Sequence, residues 1–326
     1  MDLRNKTVLV AGGAGFIGSH LVDKLLEKGV EKIIIYDNFS TGREQNIEHL
    51  KGKIEIIQGD ILDYESLRRA ISNTEVVFHE AAQLEIFKAV EDPLEDLKTN
   101  TIGTLNVLRA ALEAKVAKFV FASSACCYGQ AKYTPQDENH PLRAQWPYGV
   151  SKLAAEKYCI QFYELYGLKT TALRYGIVYG PREWYRRVMT IFTRRVLEGK
   201  APIIFGDGKQ TRDFVHVDDV VRATILAAED ERANGEEINI GSGIATTVNE
   251  LANMILTLAE REGRLKPEYA NPDSYQMGRK PGELVNLCLD ITKAKNLLNW
   301  KPVIGLEEGL KQYIEWFRKH KRVYWG

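Results

Sequence analysis

A doubly wound α/β fold, with a parallel sheet and a smaller mixed α/β substrate domain, is predicted by three observations. Apolar runs of strand length alternate with segments of helical period through the first half of the chain. The first run ends in glycines three residues apart, Gly12, Gly15 and Gly18. Beyond about residue 176 the alternation loosens, and Pro181, Pro202, Pro267, Pro272, Pro281 and Pro302 punctuate it. The chain therefore divides into residues 1–176, the parallel domain, and residues 177–326, a second domain partly interleaved with the first.

Thr7-Val8-Leu9-Val10-Ala11 reads as the first strand. The turn Gly12-Gly13-Ala14-Gly15-Phe16-Ile17-Gly18 follows it. Glycine lets a backbone turn sharply and approach a pyrophosphate, and the next helix offers that anion its free N–H groups. That helix is expected over 19–28, with Leu21, Val22, Leu25 and Leu26 on one face. A second strand, 32–36, ends in Asp37-Asn38. An acid about 20 residues after the glycines accepts both ribose hydroxyls of adenosine and repels a 2′-phosphate. The expected cofactor is therefore NAD rather than NADP. A short strand over 54–58 leads to Asp60-Ile61, expected beside adenine, and a helix to 64–72. The strand 75–79 leads to Ala81-Ala82, small enough for a dinucleotide to lie close. One long helix is expected over 94–114, a strand over 117–122, a helix over 148–166 and a strand over 169–173. Farther on, 188–197 and 247–262 read as helices, and 213–217 and 237–241 as strands.

Composition fits a soluble cytoplasmic enzyme. Lys+Arg and Asp+Glu both number 44, so the net charge is zero and favours neither nucleic acid nor a membrane surface. The chain runs directly into its first strand, which leaves no room for a signal peptide, and no apolar run reaches membrane-spanning length. Four cysteines, two of them adjacent, make no disulfide framework and suggest a reducing compartment. No metal site is expected.

The chemical centre is Tyr148-Gly149-Val150-Ser151-Lys152. A Tyr and a Lys four residues apart share one helix face. An ammonium and the positive nicotinamide of NAD lower a phenol's pKa, so Tyr148 can take a proton from a substrate hydroxyl as hydride leaves carbon. Lys152 can also hold the nicotinamide ribose. Ser124, at the end of the strand before, can hydrogen-bond the same oxygen.

These residues resemble the extended short-chain dehydrogenase/reductases, the nucleotide-sugar epimerases and dehydratases. The likeness includes Asn100, Arg174-Tyr175, Val178-Tyr179-Gly180-Pro181-Arg182, the run from Arg212 to Asp219, and Lys280-Pro281-Gly282-Glu283. It implies a Rossmann domain with Asn100 and Tyr175 on the cofactor side. It further implies a nucleoside diphosphate sugar, a UDP-sugar first, held by Arg182, Arg212, Arg279, Lys280 and Glu283. Ala125-Cys126 stands where relatives that dehydrate or decarboxylate carry acids, so 4-epimerisation through a transient 4-keto sugar remains. Among the family's members the chain is most similar to the UDP-glucose 4-epimerases. GDP-mannose 3,5-epimerases use a cysteine at the place of Cys126, with a partner lysine where Arg187 stands here. UDP-glucuronate and UDP-GlcNAc epimerases, and NAD(P)-sensing proteins, are the other readings. Ile177 replaces the family's asparagine, and Leu287 replaces a tyrosine of glucose-restricted epimerases. Arg182, Arg186 and Arg187 cluster with Trp184 and Tyr185, and Glu85 places a carboxylate near the expected sugar. The resemblance also implies a homodimer joined by the helices over 94–114 and 148–166, through Leu105, Leu108, Leu112, Ala154, Tyr158 and Phe162.

Overall fold

The computed structural model describes residues 1–184, 187–271 and 285–325, with the backbone alone for 321–325. Its elements run β1 (Thr7–Ala11), α1 (Phe16–Glu27), β2 (Lys32–Asp37), β3 (Glu55–Gln58), α2 (Tyr64–Ile71), β4 (Val76–His79), α3 (Ile86–Glu91) and α4 (Pro93–Leu97). There follow α5 (Thr104–Glu113), β5 (Lys118–Ser124), α6 (Pro147–Tyr166), β6 (Thr170–Tyr175), β7 (Ile177–Tyr179), α7 (Val188–Leu197), β8 (Ile203–Phe205), β9 (Thr211–Arg212) and β10 (Phe214–His216). The last are α8 (Val217–Glu229), β11 (Glu236–Ile240), β12 (Thr246–Thr247), α9 (Val248–Leu258), β13 (Glu268–Ala270), α10 (Thr292–Leu298) and α11 (Leu306–Trp325).

Seven parallel strands form the central sheet in the order β11-β6-β5-β4-β1-β2-β3. Alternation along β1 explains its place. Val8 and Val10 enter the core on one face, Leu9 and Ala11 the core on the other. The chain winds outward from β1 to β3, then restarts at β4 on the other side of β1. That reversal opens a crevice at the carboxyl ends of β1 and β4, where ligands of such sheets bind. β11 lies beyond residue 176 yet pairs with β6, so the chain returns to the central sheet. The second lobe has its own core, centred on Phe192, Ile204, Phe214, Leu251 and Tyr313.

Several elements differ from expectation. α1 begins at Phe16 rather than residue 19, because Gly15 already stands in extended backbone as its N-cap. The stretch 94–114 is two helices joined by a π-helical turn, Lys98–Gly103. That turn carries Asn100 into the interior, where four hydrogen bonds hold it, as described below. The strand expected over 213–217 stops at His216, whose ring accepts a hydrogen bond from the Asp218 N–H at 3.3 Å and starts α8. Apolar periodicity did not reveal α8, α10 or α11.

Candidate functional site

A cavity of ≈ 1390 Å³ opens over the crevice and extends into the second lobe. Gly12, Gly15, Phe16, Ile17, Gly18, Asp37, Asn38, Asp60, Ile61, Ala81, Ala82 and Tyr175 all line it. The turn itself requires its glycines, which pack against the chain's own backbone. A Cβ at Gly12 would lie 2.5 Å from the Ala81 nitrogen, and one at Gly18 would strike the Gly12 carbonyl. No side chain caps α1, so the N–H groups of its first turn are available to an anion. Asp37 is buried at the end of β2. It accepts hydrogen bonds from Ala14 N–H at 2.9 Å and Phe39 N–H at 2.8 Å. Burial raises its carboxyl pKa against those bonds. Asn38 donates to Asp60 at 2.9 Å, joining the ends of β2 and β3. These features match the adenosine and pyrophosphate of NAD.

Asn100 does not line the cavity. Its Oδ1 accepts from Gln83 N–H at 2.9 Å, and its Nδ2 reaches Gln83 O, Asp96 and Ser151 Oγ at 2.9, 3.0 and 3.2 Å. Ser151 in turn donates to the Tyr148 carbonyl at 3.0 Å. Asn100 thus fixes the loop after β4 to the helix of Tyr148 and Lys152, as a positioning residue.

Tyr148, Lys152 and Ser124 converge on the cavity between β5 and α6. Pro147 opens α6 with its fixed φ, and the four-residue spacing carries Tyr148 and Lys152 to one face. Burial raises the Tyr148 phenol well above its ordinary value, and nearby Cys126 adds to this. Arg187 and a hydrogen bond with Ser124 oppose it. Burial lowers the Lys152 ammonium to about 8, against the pull of Cys127, Glu80, Asp96 and Glu156. Lys152 Nζ also stands 4.3 Å above the Phe121 ring. One turn beyond Lys152, buried Glu156 takes bonds from Arg174 at 2.6 and 2.9 Å and from Ser123 at 2.6 Å. This anchors α6 to β5 and β6. Glu80, overlooked in the sequence, also lines the cavity and accepts from Tyr175 OH at 3.1 Å. Burial lifts its pKa to about 7. Its signal was a carboxylate directly after the buried strand β4.

The opposite wall carries Arg187, Arg195, Gln210, Arg212 and Leu287. Arg212 and Leu287 therefore lie where a substrate would be held. Arg182 does not. Its guanidinium bonds Asp23 at 2.7 Å and Ser19 at 3.2 Å, because the α1 carboxylate captures it. That ties the loop before α7 to α1 instead of presenting a cation to substrate. Arg279, Lys280 and Glu283 lie outside the described residues, as do Tyr185 and Arg186. Cys126 reaches the cavity, but burial raises its thiol pKa, with Arg187 and Arg212 pulling the other way. Ile177 spends its N–H on the Asp213 carbonyl at 2.8 Å.

Residues 8–241 match the family model of the NAD dependent epimerase/dehydratase family. A protein of Methanocaldococcus jannaschii named putative UDP-glucose 4-epimerase is 41% identical over 97% of this chain and its own full length. A Bacillus cytotoxicus protein named UDP-N-acetyl-alpha-D-glucosaminuronate decarboxylase is 38% identical over 96% of this chain and 98% of its own. The crystal structure of a Thermotoga maritima UDP-glucose 4-epimerase with UDP-glucose superposes with a TM-score of 0.88 at 42% identity. It covers 96% of this chain and 99% of that one.

Proposed function

The chain belongs to the NAD dependent epimerase/dehydratase family, and from that premise we propose that it interconverts UDP-glucose and UDP-galactose by inversion at C4. The observation that carries this reading is the convergence of Tyr148, Lys152 and Ser124 beside a glycine-lined dinucleotide crevice, with Ala125 and Cys126 where elimination chemistry needs acids.

NAD, when bound, accepts hydride from the sugar and returns it. Gly12, Gly15, Phe16, Ile17 and Gly18 would hold its pyrophosphate, Asp37 its adenosine ribose, and Lys152 its nicotinamide ribose. Tyr148 takes the proton of the C4 hydroxyl at its phenolic oxygen, and Ser124 hydrogen-bonds the same sugar oxygen. Burial alone holds the Tyr148 phenol protonated; the Lys152 ammonium, charged below about pH 8, and the positive nicotinamide that NAD would bring both pull it toward the phenolate. The resulting 4-keto sugar turns over within the cavity and presents its other face. Tyr148 then gives the proton back to the C4 oxygen. Protons and electrons balance without a consumed cofactor. Arg212 meets the diphosphate from the opposite wall.

Incubation with UDP-, GDP-, dTDP- and CDP-sugars, with products identified by NMR, tests the reading. UDP-galactose from UDP-glucose without added reductant is expected; no product from any UDP-sugar would refute it. The 3,5-epimerase reading lacks support, since arginine at Arg187 does not shuttle protons as the expected lysine would.

We also propose a cytoplasmic homodimer. All four cysteines are free, and among the described residues no helix is long and apolar enough to cross a membrane. The outer face of α6 leaves Tyr158, Leu165 and Tyr166 exposed, and Leu105 and Leu112 of α5 line a hollow beside them, which supports pairing between copies. Leu108 and Phe162 are spent in the chain's own core. Light scattering should give about twice 36.9 kDa; the single mass would reject the dimer.

A further inference from the structure

Glu85 has no part in the proton and hydride chemistry above, yet its placement is over-determined. β4 and β5 are neighbours in register His79 to Phe121, so the segments leaving them emerge side by side over the crevice. Gln83, held by Asn100 to the Tyr148 helix, holds Glu85 in turn. The Glu85 N–H donates to Gln83 Oε1 at 2.6 Å, and Gln83 Nε2 donates to the Glu85 carbonyl at 3.2 Å. Two residues on, Phe87 packs edge-on against Trp146 at 6.3 Å, just before α6 begins. Backbone on both sides of Glu85 is thus fixed to the start of the helix that carries the proton chemistry.

The Glu85 side chain lines the cavity and is exposed to it. Among the described residues its carboxylate has no hydrogen-bond or ion-pair partner. The cations Arg187, Arg195 and Arg212 enter from the opposite wall. A nucleoside diphosphate carries its charge to that wall, which leaves the glycosyl group toward α3. Two charged residues of α3, Lys88 and Glu91, also line the cavity, just after Glu85.

We propose that Glu85 is a specificity residue that selects a neutral glycosyl group, by accepting hydrogen bonds from its hydroxyls, and rejects a glycosyl group that bears a carboxylate. This rests on the nucleotide-sugar reading above. A carboxylate is a two-oxygen acceptor matched to hydroxyl donors. The same charge repels a second anion as the bound sugar displaces water between them. The family-wide backbone does not decide the matter, since a relative named for a uronate decarboxylase matches along the same length.

The test is competition binding to the NAD-loaded protein of UDP, UDP-glucose and UDP-glucuronate, with the wild type, Glu85→Gln and Lys88→Ala. Wild type should bind UDP-glucuronate about tenfold more weakly than UDP-glucose. Glu85→Gln should bring the two within about twofold and leave UDP itself unchanged. Lys88→Ala should widen the gap, because it removes a nearby positive charge. Equal wild-type affinity for the two sugars, or a ratio unmoved by Glu85→Gln, overturns the proposal. Failure of UDP and of both sugars to bind at all would overturn the nucleotide-sugar reading itself, and this proposal with it.

Discussion

Gly12, Gly15, Phe16, Ile17 and Gly18 reach the proposed cofactor end of the cavity from one continuous turn, whereas Arg187, the pair Gln210 and Arg212, and Leu287 reach the proposed sugar end from three separate segments. The cofactor end is closed within the first βαβ unit, where the Asp37 carboxylate accepts from Ala14 N–H at 2.9 Å and Phe39 N–H at 2.8 Å. The sugar end depends on long-range ties. Buried Asp213, just before β10, accepts from Ser242, Gly243 and Leu289, which ties β10 to two later segments of the chain. The difference teaches where each property resides. A common cofactor needs one fixed local shape, while a choice among sugars is made by side chains that many segments bring together.

The comparison breaks first at the centre, where the two ends meet. Tyr148→Phe removes the proton acceptor but keeps the aromatic ring. Turnover should fall about 10²–10⁴-fold, with NAD binding by the purified protein nearly unchanged. Wild-type kcat in that variant would remove Tyr148 from the mechanism.

The cofactor end is sharpened by Asp37→Ala. Loss of a charged acceptor of ribose hydroxyls should weaken NAD by about tenfold or more and lift NADP toward equal affinity. Titration of the cofactor-free protein with both nucleotides measures this; unchanged selectivity would place the ribose elsewhere.

How much of each end could be read from the sequence follows from the same contrast. The glycine turn, Asp37 and the Tyr148/Lys152 pair are spacings within one strand, turn or helix, and the structure brings them to one cavity. Arg182 misled because nothing local reveals that Asp23, on a helix far away in sequence, takes its guanidinium. Asn100, which the resemblance put on the cofactor side, bonds Gln83, Asp96 and Ser151 from a π-helical turn that no apolar period signals. β11 sits in the central sheet only through its pairing with β6, a contact across more than sixty positions that no window of sequence contains.

A smaller effect concerns pH. Burial lowers the Lys152 ammonium to about 8, so its charge is present below that pH and lost as pH rises through it. Turnover should decline along an alkaline limb near pH 8. In Lys152→Arg the guanidinium keeps its charge, so whatever activity remains should lose that limb. An unchanged limb in the variant would assign it to another group.

The smallest effect is expected at Cys126→Ala. Its thiol is held protonated by burial, and the proposed proton path bypasses it. Most of the wild-type rate should persist, and a loss of orders of magnitude would move a proton step onto sulfur.

The most direct measurement follows the hydrogen at C4. UDP-glucose carrying deuterium at C4 is given to the wild-type protein in ordinary water, and unlabelled UDP-glucose to the same protein in D₂O. The account predicts UDP-galactose that retains its C4 deuterium in the first case and gains no carbon-bound deuterium in the second. Deuterium entering C3 or C5 from solvent, or loss of the C4 label to water, would contradict it.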